Sequence, residues 1–151
     1  MKIYDLKEKQ EFLQEVMELE FDEWAKDATS NRNIRIKKKI NNYFEHINDI
    51  DFCKLILVDE DKLVGFISIF PSDCEEEKNL FPWYATMFVK KEYRGKGCSK
   101  ILNSAILEEA KRRKFKQLYL KTELNHYYEK FGATFVKNID SGEKIFKFEV
   151  I

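Results

Sequence analysis

The sequence is poor in three residue types that mark special folds: it has three cysteines, two prolines and five glycines among 151 residues. The cysteines are too few and too scattered for a disulfide framework, and no CxxC pair or Cys/His cluster suggests a zinc site. No uninterrupted run approaches the roughly 18 apolar residues that a membrane span needs, and the first eight residues contain no apolar secretory core. We therefore expect a reduced, cytoplasmic protein with no membrane segment and no bound metal.

The chain also lacks an excess of charge of either sign. Lys plus Arg and Asp plus Glu number 27 each, so the formal net charge is zero. Such a balance gives no global attraction to nucleic acid or to an anionic membrane. The basic runs at 32–39 and 111–116 are typical of solvated helix faces, and we expect neither nucleic acid nor a membrane as a partner. Any attraction for anions must be local.

What the chain does contain is enough apolar sequence for a core. The apolar fraction is 44%, with thirteen Phe and seven Tyr, which favours one folded domain over residues 1–151. Helical periodicity predicts helices over 7–26 and 33–47, with a loop over 27–33 between them, a helix after the glycine-rich run at 94–100, and a short helix over 125–131 that ends at Gly132. Branched and aromatic runs predict strands over 2–5, 52–58, 63–70, 83–89, 117–120, 133–136 and 145–150. The order of these elements is that of an α+β fold.

The run Arg94-Gly-Lys-Gly-Cys-Ser-Lys100 lies between the strand and an amphipathic helix. This order places free backbone N–H groups at a helix N-terminus, where they bind anions, and glycine lets the main chain approach a ligand closely. Two known phosphate loops are excluded: the dinucleotide fingerprint needs a third glycine where Lys100 stands, and the ending of the nucleotide P-loop is absent. The sequence therefore predicts a site for a phosphorylated ligand of another kind.

Two blocks together resemble the GNAT superfamily of N-acetyltransferases. The superfamily pattern Gln/Arg-x-x-Gly-x-Gly/Ala is matched by Arg94, Gly97 and, with serine in the last place, Ser99. The segment 127–133, Tyr-Tyr-Glu-Lys-Phe-Gly-Ala, resembles the superfamily's Phe-Tyr-Glu-Lys-x-Gly-Phe. The resemblance implies a mixed, mostly antiparallel central sheet that is flanked by helices and splayed at its central strands.

The resemblance also implies acetyl-CoA as the cosubstrate. Backbone groups of Met87, Phe88 and Val89 would pair with the pantetheine arm. The pyrophosphate would be held by the basic loop and the first turn of the helix after it, which comprise Arg94, Gly95, Lys96, Gly97, Cys98, Ser99 and Lys100. The Cys98 thiol is expected to face the core rather than act as a nucleophile, because no histidine lies in the motif to activate it. A frequent family asparagine falls on Lys121, which puts one cofactor contact in doubt, and Asn125 is expected to cap the short helix.

Acetyl transfer to an amine requires a base for the amine and an acid for the departing thiolate. By similarity, Tyr128 occupies the position of the family's catalytic tyrosine and would be the acid; the alternative is that Tyr127 and Tyr128 merely divide between core and surface. The identity of the residue that acts as the base stays open. Glu75, Glu76 and Glu77 either reach the amine or belong to a solvated loop. The two histidines, His46 and His126, are no stronger candidates for the base.

The resemblance thus implies an acetyl-CoA-dependent N-acetyltransferase in which a primary amine of a small molecule or peptide attacks the thioester directly. The alternative is a non-catalytic acyl-CoA-binding sensor or assembly domain of the same fold. Asp73 and the glutamates at 75–77 hint at a positively charged acceptor if their loop borders the pocket. Trp24, Trp83 and Pro82 are candidates for pocket walls or for the core. The oligomeric state, including a homodimer, stays open.

Overall fold

The structure is a computed structural model that describes residues 1–25 and 31–150. Within these residues the chain forms one seven-stranded sheet with the strand order β1-β2-β3-β4-β5-β7-β6. The strands are β1 (Lys2–Asp5), β2 (Cys53–Asp59), β3 (Lys62–Phe70), β4 (Trp83–Val89), β5 (Gln117–Thr122), β6 (Thr134–Asn138) and β7 (Lys144–Glu149). The helices are α1 (Leu13–Trp24), α2 (Arg32–His46) and α3 (Cys98–Arg112). The expected α+β class is confirmed.

Alternating side chains of the sheet form two cores. Leu55 and Leu57 of β2 pack on the α3 face, together with Leu102 and Ile106 of the helix. Ile56 and its neighbours on the other face pack against α1 and α2. This alternation follows from the two-residue period of a strand, and it leaves both faces covered by helices.

The central strands separate along their length, as the resemblance implied. All neighbouring strands pair antiparallel except β4 and β5, which run parallel. In the described chain their register holds a single pair, Trp83 with Tyr119, supported by the Tyr119 amide donating to the Pro82 carbonyl at 2.9 Å. Beyond this point the strands diverge, so a wedge opens between them toward the end of β4.

β4 also carries a bulge beside the wedge. Its register against β3 shifts between the pairs Phe66–Phe88 and Ser68–Ala85. Thr86 takes φ 51°, a left-handed conformation that is uncommon for a β-branched residue. The bulge turns the edge of β4 at the place where β5 departs from it.

Two helix predictions need correction. The segment expected to open a helix at residue 7 instead forms two 3₁₀ turns, Leu6–Glu8 and Gln10–Phe12, before α1 begins. Lys9 lies between them with φ −136° and ψ 55°, outside the helical region, while the Leu6 side chain is fully buried against the sheet. Burial of Leu6 therefore overrides the helical periodicity.

The short helix expected over 125–131 is a 3₁₀ turn, Tyr128–Phe131, which ends at Gly132 with φ 97° as expected. Asn125 does not cap it, because its side-chain oxygen accepts a hydrogen bond from the Lys144 ammonium. The helix over 33–47 and the seven strands agree with the structure to within a few residues. Part of the loop predicted over 27–33 lies outside the described residues. In the part of the chain that is described, no helix combines the length and apolar character needed to cross a bilayer.

Candidate active site

The first half of the site is a cavity of about 410 Å³ at the junction of β4 and α3. Its walls include the end of β4, the loop after it and the first turn of α3. Of the residues named from sequence, the structure brings eight together here: Met87, Phe88, Val89, Arg94, Gly95, Gly97, Cys98 and Ser99. Lys96 and Lys100 are exposed and do not line this cavity.

The loop presents its backbone to this cavity. Gly95 and Gly97 both take φ 80°, and a Cβ atom at either position would meet nothing within 4 Å. The glycines are therefore needed for their backbone conformation and not for lack of space. The first hydrogen bond of α3 runs from the Ile101 amide to the Gly97 carbonyl at 3.2 Å, and no side chain caps the described helix start. The amides of residues 98–100 therefore lack helical acceptors and are available to an anion.

Arg94 and Cys98 have more specific roles than the sequence indicates. The Arg94 Nε donates to the Val89 carbonyl at 2.9 Å, and its guanidinium carbon lies 5.9 Å from the centre of the Phe88 ring. This bond ties the loop to the end of β4 and engages a carbonyl that was expected to face the ligand. Cys98 is 2% exposed with its side chain in the core, as expected, so it offers the cavity its backbone.

The second half of the site is the wedge itself, a cleft of about 890 Å³ between β4 and β5. Glu23 at the end of α1 and Met87 line both this cleft and the first cavity, so the two adjoin. A ligand that follows β4 from the glycine loop would bring its far end to the cleft. The site therefore has one compartment suited to a phosphorylated arm and another suited to a second substrate.

Tyr128 lines the cleft, and Tyr127 lines the first cavity. The Tyr128 ring packs edge-on against Tyr84 at 5.9 Å and against Tyr127 at 4.9 Å, measured between ring centres. Burial, with a smaller contribution from Tyr127, raises the pKa of Tyr128 to about 12. The phenol therefore keeps its proton at neutral pH and can act as a hydrogen-bond donor.

The cleft is acidic. Among the described residues that line it are four carboxylates, Glu23, Asp73, Glu123 and Glu143, against one lysine, Lys121. Burial raises the pKa of Asp73 to about 6, which Lys121 opposes and Glu143 reinforces. Opposite charge on a ligand would relieve this concentration of negative charge.

The candidate bases named from sequence lie elsewhere. Glu77 pairs with the Lys137 ammonium, and a Glu76 carboxylate oxygen accepts from the Asp140 amide at 3.0 Å, so both glutamates hold the β6–β7 hairpin. Glu75 is exposed and, like its two neighbours, is not among the described residues that line the cleft.

The histidines are also outside the cleft. His46 pairs with Asp49 at 2.8 Å at the end of α2. The His126 side chain is 91% exposed and lies 3.4 Å from Glu129.

Of the two tryptophans that were candidates for pocket walls or for the core, one lines the pocket and the other lies in the core. Trp24 is half exposed and lines the cleft, whereas Trp83 is buried and its Nε1 donates to the Leu80 carbonyl at 2.9 Å. Sequence reasoning missed Glu23, Glu123, Glu143 and Thr86 as cleft residues. No local signal marks them, because four separate segments of the chain supply them.

Comparison with known proteins identifies the family to which this sequence is similar. The sequence model described as "Acetyltransferase (GNAT) family" matches residues 11–133. A curated relative from Bacillus subtilis subsp. natto (strain BEST195), named "Probable spermine N(1)-acetyltransferase", is 35% identical over 95 residues. The match covers 57% of this chain and 62% of that relative, so it spans less than two thirds of the relative's length.

Solved structures agree with the fold. An aminoglycoside 6'-acetyltransferase of type Ii superposes with a TM-score of 0.72 at 20% identity, covering 100% of this chain and 98% of that one. An aminoglycoside 6'-N-acetyltransferase complexed with coenzyme A superposes with a TM-score of 0.71 at 17% identity over the same shares. At these identities the structures show a common fold.

Proposed function

This chain belongs to the acetyltransferase (GNAT) family, and from that premise we propose that it transfers the acetyl group of acetyl-CoA to a primary amine of a small, positively charged molecule. Acetyl-CoA is the cosubstrate that the family's chemistry requires. The amine attacks the thioester carbonyl directly, and the free thiol of coenzyme A leaves. Residues 1–151 constitute one acetyltransferase domain in this proposal.

The residues near α3 fit the cosubstrate. The open amides of residues 98–100 and the glycine backbone would hold the pyrophosphate, with Arg94, Lys96 and Lys100 adding positive charge. Phe88 pairs with Phe66 of β3, whereas Met87 has no registered partner on β3 or β5 in the described chain, so the Met87 backbone can pair with the pantetheine arm. This arrangement directs the thioester toward the cleft.

Tyr128 is the proposed acid. Its hydroxyl belongs to a side chain that lines the cleft, where the thioester sulfur would arrive. A phenol whose pKa is raised by burial remains protonated and can donate its proton to the departing thiolate.

One observation carries the choice of acceptor: the cleft that adjoins the cofactor cavity concentrates four carboxylates from α1, the loop before β4, the segment after β5 and the β6–β7 turn. A cationic amine gains charge complementarity there, and a neutral or anionic amine does not. The name of the curated relative points to the same chemical class, since spermine is a polycation.

The proposal is tested by an acetylation assay that follows release of coenzyme A thiol. The panel contains spermine, spermidine, an aminoglycoside, a lysine peptide and a neutral monoamine at matched concentrations. We expect turnover with the polycations and weak turnover with the monoamine. Thiol release with any acceptor excludes a purely non-catalytic acyl-CoA sensor, whereas acetyl-CoA binding without thiol release for every amine refutes the proposed enzyme.

A further inference from the structure

A chain of polar side chains passes through the otherwise apolar core between α1, α2 and the sheet. The Lys54 ammonium on β2 pairs with Glu20 of α1 and lies 2.7 Å from the Ser68 hydroxyl on β3. The Ser68 hydroxyl lies 2.6 Å from the Thr86 hydroxyl on β4. Ser68 is fully buried, and the Lys54 side chain is 2% exposed. Three adjacent strands thus contribute one hydrogen-bonded row.

The two ends of the row reach two different cavities. Thr86 is the bulge residue of β4 and lines the acidic cleft. At the other end, Lys54, Glu20 and Lys39 line a cavity of about 480 Å³ beneath α2. Lys39 is one-third exposed and donates to Glu20 at 2.6 Å, so this end communicates with solvent. The row therefore connects the acceptor cleft with solvent on the far side of the core.

Burial and the nearby Lys39 make the Lys54 ammonium give up a proton more readily than an exposed lysine does. Glu20 from α1 faces two lysines, Lys54 and the partly exposed Lys39 from α2. Burial opposes the charge of Glu20, but the two lysines outweigh it and lower its pKa. Burial lowers the pKa of Lys54, with Glu20 acting against the shift and Lys39 adding to it.

Two aromatic rings beside Lys54 favour its charged form and so oppose the shift, as Glu20 does. The β3 neighbours of the Lys54 ammonium are the Phe66 and Phe70 rings, with centres 5.9 and 4.7 Å away, and the neutral Ser68. His46 of α2 also lines the cavity but is paired with Asp49.

We infer that Thr86, Ser68 and Lys54 form a proton relay that takes the proton from the acceptor ammonium in the cleft. The inference rests on the proposed function and supplies a base in place of the glutamates at 75–77 and the histidines, which lie outside the cleft. In this role Thr86 contacts the acceptor amine, whereas Ser68 and Lys54 do not touch the acceptor and act through Thr86.

The proton transfer balances along the row. The ammonium N–H of the acceptor gives its proton to the Thr86 oxygen while the Thr86 O–H proton passes to Ser68. Lys54, which has released a proton to solvent beforehand, takes the Ser68 O–H proton and becomes an ammonium again, paired with Glu20. The acceptor is left as a free amine that attacks the thioester. Lys54 then returns its proton to solvent through the cavity that Glu20 and Lys39 line.

The test compares pH–rate profiles of the wild type, Thr86→Val, Ser68→Ala and Thr86→Ser with spermine as acceptor. We expect Thr86→Val and Ser68→Ala to lower kcat about 10- to 100-fold at pH 7, within the usual range for loss of proton transfer. The deficit should shrink toward pH 10, because the acceptor then arrives already deprotonated. KM for acetyl-CoA should stay within about twofold of the wild-type value. Thr86→Ser keeps the hydroxyl and should restore most of kcat.

Thr134→Val on the exposed strand β6 is the matched control, because it removes a hydroxyl from the sheet outside both cavities. Its profile should coincide with that of the wild type. Uniform losses at every pH in Thr86→Val, or a Thr86→Ser variant as slow as the valine variant, would show that the row is only structural and overturn the relay.

A second measurement does not depend on turnover. In the wild type, the Lys54 side chain is titrated by NMR with labelled lysine, and its signal is assigned with Lys54→Met. We expect Lys54 to titrate below the exposed lysines, and Thr86→Val to leave this titration in place. Titration together with the exposed lysines refutes the relay even if the enzyme is active. If the wild type releases no coenzyme A thiol with any amine, the proposed function is refuted. The NMR titration still shows whether the pKa of Lys54 is lowered.

Discussion

At the scale of single residues, Tyr128 is the side chain whose surroundings most directly suit its proposed role. Its ring is held edge-on between Tyr84 and Tyr127, so the hydroxyl has a fixed direction. We expect Tyr128→Phe to lower kcat about 10- to 100-fold, because the thiolate then leaves without its proton donor. Affinity for coenzyme A should not change, since the ring that contacts Tyr127 is kept. Steady-state kinetics and calorimetry measure the two effects.

Tyr119→Phe is the control for the loss of a phenol, because Tyr119 packs on Trp83 at the closed end of the wedge. Its kcat should stay within about twofold of the wild-type value. Unchanged turnover in Tyr128→Phe would remove this tyrosine from the mechanism, and a matching loss of coenzyme A affinity would reassign it to binding.

Asp73 combines a cost in stability with a proposed role in acceptor binding. Its pKa is about 6 in the folded chain against an ordinary value of 3.8. Between these values the folded state holds more protons than the unfolded state, so stability falls as the pH rises from about 4 to 6, and the loss persists above that. Asp73→Asn should therefore raise stability at pH 7 by about 1 kcal/mol after allowance for partial exposure, a shift of about 2–4 °C in Tm.

The same substitution removes a negative charge from the cleft, so KM for spermine should rise several-fold at pH 7. At about pH 3, below both pKa values, the thermal stabilities of the variant and the wild type should converge, because Asp73 is then mostly protonated in both folded and unfolded states. Thermal melts at the two pH values provide the comparison. A variant less stable than the wild type at pH 7 would contradict the assigned environment of Asp73.

At the scale of elements, the close approach of β3 to β4 supports the edge that is proposed to bind the cofactor. A Cβ atom on Gly65 would lie 2.3 Å from the Phe88 carbonyl oxygen, so alanine there must push the two strands apart. We expect Gly65→Ala to cost about 1–3 kcal/mol in stability, as overpacking usually does. It should also weaken acetyl-CoA binding at least several-fold, because Phe88 and Val89 shift with their strand.

Gly142→Ala is the contrasting variant, because Gly142 has φ 90° in the β6–β7 turn and open space around a Cβ atom. It should lose about 1 kcal/mol from backbone strain and bind acetyl-CoA with wild-type affinity. Chemical denaturation and calorimetry separate the two variants. Normal acetyl-CoA affinity in Gly65→Ala would show that the position of β4 does not matter for binding.

Sequence predicted most fully the elements whose parts are contiguous. Strand β4, the glycine loop and α3 follow one another along the chain, so local periodicity and glycine content predicted the geometry around Gly95 and Gly97. The acidic cleft was predicted only in part: Asp73 was named from the sequence, but Glu23 and Glu143 come from distant segments that only the wedge brings together. The Lys54 row was missed for a related reason: single polar residues in three strands reveal their contact only when the register is known.

At the scale of the whole molecule, the sheet consists of two groups of strands that meet at β4 and β5. β1 to β4 pair continuously on one side and β5 to β7 on the other, and in the described chain Trp83–Tyr119 is the registered pair between them, while the core under α3 spans both parts. The wedge leaves backbone groups without strand partners at the centre of the protein, which a fold tolerates only where water or a ligand satisfies them. In the proposed binding mode, the cosubstrate completes a sheet that is otherwise open at its middle.

This view predicts where acetyl-CoA stabilises the molecule. We expect binding to slow amide hydrogen exchange at the end of β4 and at residues 95–101, because these amides gain hydrogen bonds to the ligand. Exchange in β1 and in the β6–β7 turn should change little. At about 100 times Kd the ligand should add about 2.7 kcal/mol of stability, which corresponds to a rise in Tm of roughly 5–11 °C. Protection confined to other strands, with no slowing at β4, would show that the ligand does not lie along the wedge.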